Sequence, residues 1–196
     1  MEYFDRLWTG LGDVRPERFE LRRDFLLGQL APGGRVLDVG CGDGAFCAAL
    51  AAAGHRPVGV DVAAEAVRRA GERHPALEFA LSGESALPFA EGCFEAAWLG
   101  EVIEHLRDGL GLLDEVGRVL VPGGRLIASV PDHPALLRLR LGVSRRAFEA
   151  HFEPRADHLR FFTRGSLRAL LEAAGFEAFT ARARAGHLLV SARAAR

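Results

Sequence analysis

Neither lysine nor asparagine occurs among the 196 residues, and all 25 residues counted as lysine plus arginine are arginines. A P-loop NTPase needs its phosphate-cradling lysine and a protein kinase its strand lysine, so both are excluded. Schiff-base chemistry, including the pyridoxal type, lacks its amine. A Cys-His-Asn hydrolase and an N-glycosylation acceptor lack their asparagine. Cysteine is scarce as well: Cys41, Cys47 and Cys93 are odd in number and have no CxxC spacing. A disulfide framework or a zinc site is therefore not expected, and a reducing cytoplasm is. No run of about 18 apolar residues occurs, and the N-terminus lacks a basic region followed by an apolar core, so neither secretion nor a membrane span is expected.

With 49% hydrophobic and 26% charged residues, the chain has the make-up of a globular protein, and its length predicts one domain over 1–196. Charge is uneven. Residues 1–131 hold 13 arginines against 20 acids, whereas residues 132–196 hold 12 against 6. An acidic front suits a cationic ligand and a basic rear an anionic partner, although arginines also solvate helix faces.

Strand and helix patterns alternate from about residue 35, which predicts an α/β, doubly wound and mostly parallel sheet. Arg35–Val39, Pro57–Asp61, Leu77–Leu81 and Phe94–Leu99 read as strands. A helix through Leu112, Leu113, Val116, Val119 and Leu120 follows at i, i+3/i+4 spacing, with Pro122 ending it. Two segments echo each other: residues 30–37 and 120–127 each run Leu-x-Pro-Gly-Gly-Arg and then an apolar strand. This predicts that both strands enter from one edge of the sheet. Residues 1–30 read as an amphipathic, arginine-rich helical preamble and residues 132–160 as an acceptor-side insertion or lid. The last two runs, around 176–183 and 186–192, are close enough to form a hairpin.

The informative stretch is Asp38-Val39-Gly40-Cys41-Gly42-Asp43-Gly44, where the first strand turns into a helix. Glycines there let a ligand approach the backbone. The spacing also satisfies a degenerate dinucleotide fingerprint, but Asp38 and Asp43 would repel a pyrophosphate and attract a cation. S-adenosylmethionine carries an ammonium and a sulfonium and no phosphate, so the loop suits it. Asp61, at the end of the second strand, is placed to accept ribose hydroxyls in either case.

These residues, with Leu87-Pro88-Phe89 and the run from Phe94 to Gly100, resemble the class I S-adenosylmethionine-dependent methyltransferases over roughly residues 30–131. The resemblance implies a Rossmann-like seven-stranded sheet with an antiparallel strand in its C-terminal hairpin. It also implies that Asp38 and Gly40, with Cys41, line the methionine end of the cofactor. By the same token Gly42 gives clearance, Asp61 and Val62 hold the ribose side, and Leu99 and Gly100 close the site. Relatives often carry an acid four positions before the Leu-Pro-Phe; that position is Gly83 here, so the adenine contact is assigned to Glu84 or Ser85.

Glu101, Glu104 and His105 follow the fourth strand at i, i+3, i+4, which predicts one helical face at the carboxyl edge. With Asp157 and His158 they are similar to the metal sites of small-RNA 2′-O-methyltransferases and of quinone-ring O-methyltransferases. A divalent ion such as Mg²⁺ on Glu101, Glu104, His105 and His158 is thus the alternative to a metal-free site. Without metal, Glu101, His105 and His158 are the catalytic candidates; His133 and His151 are further candidate bases. His55, His74 and His187 are expected to be surface or packing residues away from this edge. The segment from Ala135 to Arg146 mixes leucines with Arg138, Arg140, Arg145 and Arg146, fitting a lid, a membrane-surface contact or an anion clamp. No basic patch interleaved with aromatics suggests an RNA platform. The expectation is a methyltransferase acting on an oxygen or nitrogen of a small molecule. The alternatives are a metal-dependent RNA 2′-O-methyltransferase, a cofactor-binding protein without turnover and, more remotely, a dinucleotide oxidoreductase.

Overall fold

The computed structural model describes residues 2–10, 12, 15–151 and 159–195. Five strands are mutually parallel: β1 (Arg35–Val39), β2 (Arg56–Asp61), β3 (Glu78–Leu81), β4 (Phe94–Gly100) and β5 (Leu120–Pro131). The chain closes with a hairpin of β6 (Phe176–Arg184) and β7 (His187–Ala194), and β7 runs antiparallel to β5. The seven strands lie in the order β3-β2-β1-β4-β5-β7-β6. The parallel strands follow the strand and helix alternation, and the whole is the Rossmann-like seven-stranded sheet with one antiparallel strand that the family resemblance implies. As the echoed Pro-Gly-Gly segments imply, β1 and β5 run in the same direction as β4 between them, so both enter from one edge.

Eight helices occur among the described residues: α1 (Glu2–Gly10), α2 (Phe19–Gly28), α3 (Ala45–Ala52), α4 (Ala64–Arg73), α5 (Gly109–Val119), α6 (Ala135–Val143), α7 (Arg145–His151) and α8 (Arg164–Ala173). Strands covered on both faces need apolar side chains at every position, and β1, β2 and β4 are buried almost throughout. The period of two then sorts their residues between two cores. Leu37 and Val39 join the larger one with Leu112, Val116 and Leu167, under α5 and α8. Val36, Ala96, Trp98 and Ile127 face the other way, onto Phe19, Leu26, Phe46 and Leu50 of α2 and α3.

Two local expectations are corrected. Pro122 does not end α5: the helix stops at Val119, and Leu120 already has the extended ψ of 145°. Pro122 lies instead in an irregular stretch of β5, where Leu120 pairs with Phe94 but the next paired residue, Arg125, faces Ala96. A bulge needs no ladder donor from proline there. Glu101–His105 does not open a helix either. Glu101 has a left-handed φ of 60°, a single 3₁₀ turn follows at Ile103–His105, and α5 begins only at Gly109, capped by Asp108.

Candidate functional site

A cavity of about 420 Å³ opens where the carboxyl ends of β1, β2 and β4 meet α1 and α2. Its floor is the loop Gly40-Cys41-Gly42, with Asp61 and Val62 after β2, Ser82 to Glu84 after β3, and Gly100 to Val102 after β4. Phe4, Leu7 and Trp8 of α1 form a wall. Gly40 has φ 69°, and a Cβ on it would lie 2.6 Å from Val102 Cγ2. Gly42 has φ 54°, and a Cβ there would meet the Trp8 ring at 2.8 Å. Both positions therefore require glycine for conformation and for space. Asp61 fixes the loop, because its Oδ2 accepts from the Gly42 N–H at 2.9 Å and its Oδ1 from the Ala63 N–H at 2.9 Å. Burial pushes its carboxyl pKa up, and these two N–H donors oppose the rise.

Asp38 is not in the cavity wall. The alternation of β1 places it on the face of Val36, under α3, where it is 1% exposed and accepts from the Cys47 thiol at 3.3 Å. Burial raises its pKa to about 7, the Asp61 charge adds to the rise, and the Cys47 hydrogen bond and Arg22 counter it. Asp43 does line the cavity, but its carboxylate pairs with Arg73. The attraction for a cation that sequence reasoning gave to Asp38 and Asp43 is thus supplied at the cavity surface by Glu17, Asp61, Glu84 and Glu101. Ser85 and Leu99 are likewise absent from the wall; the Leu99 side chain is fully buried in the larger core. Ser82 and Gly83 join Glu84 where Ser85 was expected.

Arg22 lies within the helical preamble, where nothing in the site motifs singles it out. It falls between Phe19 and Leu26 on the buried stripe of α2, and a charged residue in such a stripe was the available signal. The side chain is 3% exposed, with its guanidinium carbon 5.1 Å from the Phe46 ring centroid and 5.8 Å from that of Trp98. Its Nη1 donates to the Glu17 carbonyl at 3.2 Å. Desolvation lowers its pKa, against the raising charges of Glu101, Glu104, Asp38 and Glu17. Arg22 Nε and Trp98 Nε1 are buried donors with no acceptor among the described residues. A Cβ on Gly100 would lie 2.5 Å from Arg22 Nη2 and 2.7 Å from Trp98 Nε1, so the two side chains and this glycine meet at one spot on the cavity wall.

Of the three residues expected on one helical face, Glu101 and His105 both line the cavity and Glu104 does not. Glu101 lines the cavity; its Oε1 accepts from Ser129 Oγ at 2.8 Å, and its Oε2 lies 3.7 Å from His187 Nε2. Its left-handed backbone costs roughly 1–2 kcal/mol in a residue with a Cβ, strain of the kind that functional sites retain. Glu104 is fully buried with both carboxylate oxygens lacking a partner among the described residues, and its pKa is pushed up by burial first and by Glu101 next. His105 lines the cavity and stands edge-on to Phe4, ring centroids 6.5 Å apart. Among the described residues no group of three or more His, Cys, Asp or Glu side chains is placed to hold a metal ion; Asp157 and His158 lie outside the described residues.

His187 is corrected from a bystander to a neighbour of the site. Because β7 is antiparallel, its first residue pairs with Pro131, the last of β5, at the carboxyl edge. The hairpin read from the sequence held that signal. His133 and His151 are not in the cavity: their Nε2 atoms lie 3.1 Å apart, and His133 Nδ1 is 3.3 Å from the Phe162 carbonyl oxygen.

Comparison with known proteins agrees with this geometry. Residues 13–181 match the methyltransferase domain family. The ubiquinone biosynthesis O-methyltransferase of Xanthomonas campestris pv. campestris is 31% identical over 165 residues, covering 79% of this chain and 67% of that protein. The 2-methyl-6-phytyl-1,4-hydroquinone methyltransferase of Synechocystis sp. is 36% identical over 107 residues, 53% of this chain and 34% of that one. The fold superposes on a SAM-dependent methyltransferase of Thermotoga maritima with a TM-score of 0.72, covering 98% and 99% of the two chains at 20% identity. The chain belongs to the class I S-adenosylmethionine-dependent methyltransferase family.

Proposed function

We propose that this protein binds S-adenosylmethionine in the cavity below α1 and methylates an oxygen of a small, apolar hydroxylated molecule. The observation that carries the reading is the division of charge around one cavity. Asp61 and Glu84 stand on one side, and on the other Arg22 Nε and Trp98 Nε1, buried donors with no acceptor among the described residues. A ligand with ribose hydroxyls at one end and an amino-acid zwitterion at the other satisfies both. Asp61 would accept from the ribose, Arg22 and Trp98 Nε1 would donate to the α-carboxylate, and Glu84 with Ser82 would meet the adenine side. Asp38 would act through the low-dielectric loop and not by contact.

Bound there, S-adenosylmethionine supplies an electrophilic methyl group on a sulfonium. Positioning and exclusion of water are what the protein must add to an in-line transfer. Phe4, Leu7 and Trp8 exclude water, and Glu101 holds the proton that the acceptor hydroxyl gives up. Ser129 and His187 orient the Glu101 carboxylate by the contacts above, and His105 forms the wall beside it. The name of the ubiquinone biosynthesis O-methyltransferase supports an oxygen acceptor, and the hydroquinone in the other relative's name supports an apolar ring.

The test is calorimetry followed by a methyl-transfer assay. Wild-type protein should bind S-adenosylmethionine and not NAD, and Asp61→Ala should weaken binding at least about tenfold, as expected for lost hydrogen bonds to a charged group. Transfer of labelled methyl to catechols and hydroquinones, with none to amines, supports the oxygen acceptor. Binding of NAD in place of the methyl donor overturns the cofactor assignment, and transfer to amines alone overturns the acceptor.

A further inference from the structure

The helix pair α6–α7 follows directly from the carboxyl end of β5, and its apolar side faces outward. Leu136, Leu139 and Val143 fall at i, i+3 and i+7 and share one face of α6. They are 77%, 62% and 77% exposed. Leu137 and Leu141, on the opposite side, are only half-buried, and no residue of α6 is buried. A helix that is apolar nearly all round belongs under cover, yet this one has its best hydrophobes in water. Beyond it, Leu159 is 55% exposed at the start of the returning chain.

Charge identifies the cover. Between Ala135 and His151 the chain carries Arg138, Arg140, Arg145 and Arg146 against one acid, Glu149, and Glu149 is already paired with Arg145 at 2.7 Å. A second copy of the chain laid face to face on α6 would bring two arginine clusters together with no free acid from either pair of helices. A surface of phosphates over hydrocarbon fits both features. Leucine and valine enter the acyl boundary while guanidinium groups on long stems stay at headgroup level.

We propose that α6 and α7 dock this protein on anionic lipid bilayers, with Leu136, Leu139 and Val143 inserted and Arg138 and Arg140 on the phosphates. The inference rests on the helix pair alone and does not depend on which acceptor the enzyme methylates. Because α6 follows the carboxyl end of β5, docking here sets the cavity's carboxyl edge beside the membrane.

The experiment is co-flotation of the purified full chain with phosphatidylcholine vesicles, with and without about one third phosphatidylglycerol. Anionic vesicles should retain the protein at low salt at least about tenfold better than neutral ones, and about one Debye length of screening at 0.1 M salt should reduce retention several-fold. Two variants separate the parts: Leu136→Ser/Leu139→Ser/Val143→Ser should abolish retention, and Arg138→Gln/Arg140→Gln should remove the preference for anionic lipid. Because these side chains are exposed, the Tm of each should match wild type; should the triple variant misfold, the arginine pair and the salt series decide. Absence of retention on anionic vesicles at low salt overturns the proposal, as does equal retention on neutral ones. A dimer that the serine variant splits overturns it too, because a second copy would then be the cover.

Discussion

Replacing Asp38 by Asn should make the cofactor-free protein more stable above pH 7 and, in the same molecule, weaken its hold on S-adenosylmethionine. The carboxyl is 1% exposed, and burial raises its pKa from 3.8 to about 7. Below about pH 4 folded and unfolded chains both hold this proton, so the group does not oppose folding. As pH rises from about 4 to about 7 the unfolded chain releases its proton while the native one keeps it, and stability falls. Above about 7 both are ionised and the full cost of the buried charge stands. At about 1.4 kcal/mol for each pKa unit, the distance from 3.8 to about 7 sets a ceiling of about 4 kcal/mol. Asn keeps an oxygen for the Cys47 thiol, now 3.3 Å from Oδ2, and carries no charge. At about 2–4 °C per kcal/mol for a chain of this length, Tm at pH 8 should rise by up to about 8–16 °C, with little difference between the proteins near pH 4. A cationic ligand favours the ionised form, so cofactor binding to wild type near pH 7 should release protons. Calorimetry in buffers of different ionisation heat would register this release, and Asp38→Asn should abolish it. Parallel Tm–pH profiles for the two proteins, or buffer-independent enthalpies for wild type, would refute the reasoning.

Arg22→Met keeps an unbranched side chain against Phe46 and Trp98 but removes every donor. Stability should fall, because Asp38 and Glu104 lose the buried cation that opposes their own burial, and cofactor affinity should fall roughly 10- to 100-fold by calorimetry. Gly42→Val puts a β-branched residue at φ 54°, with its Cβ 2.8 Å from the Trp8 ring; α1 should lift, Trp8 emission should shift to the red, and cofactor binding should be lost. Unchanged emission would mean that α1 does not seat on the loop. Asp108→Ala removes the cap of α5, whose Oδ1 accepts from the Gly111 N–H at 2.9 Å. The cost should be about 1 kcal/mol, or a Tm lower by about 3 °C, with cofactor affinity unchanged.

What the sequence made legible follows its periodicities. Apolar runs and the glycine loop sufficed for the strands and for the places of Gly40, Gly42 and Asp61, because each depends on neighbours close in the chain; the antiparallel strand and Gly100 came only with the family resemblance. The failures have a common form. Glu101, Glu104 and His105 were placed by helical spacing, but the backbone departs from the helix at Glu101, and only the Ser129 and His187 contacts account for where its carboxylate goes. Arg22 and Trp98 lie 76 positions apart and meet only because α2 packs on the face of the sheet that β4 turns toward it. Asp38 shows the same limit from the other side. The alternation of β1, visible in the sequence, already assigns Asp38 to the face of Val36 and away from that of Leu37 and Val39; what could not be read is that α3 covers that face and seals the carboxyl from the cavity. A motif position can thus be filled as the pattern requires while its side chain is held away from the cavity. Asp38 sits where the family pattern puts an acid, yet its carboxyl is buried against Cys47 and away from the cavity wall, so its loss should register in proton release and stability before it registers as a missing contact.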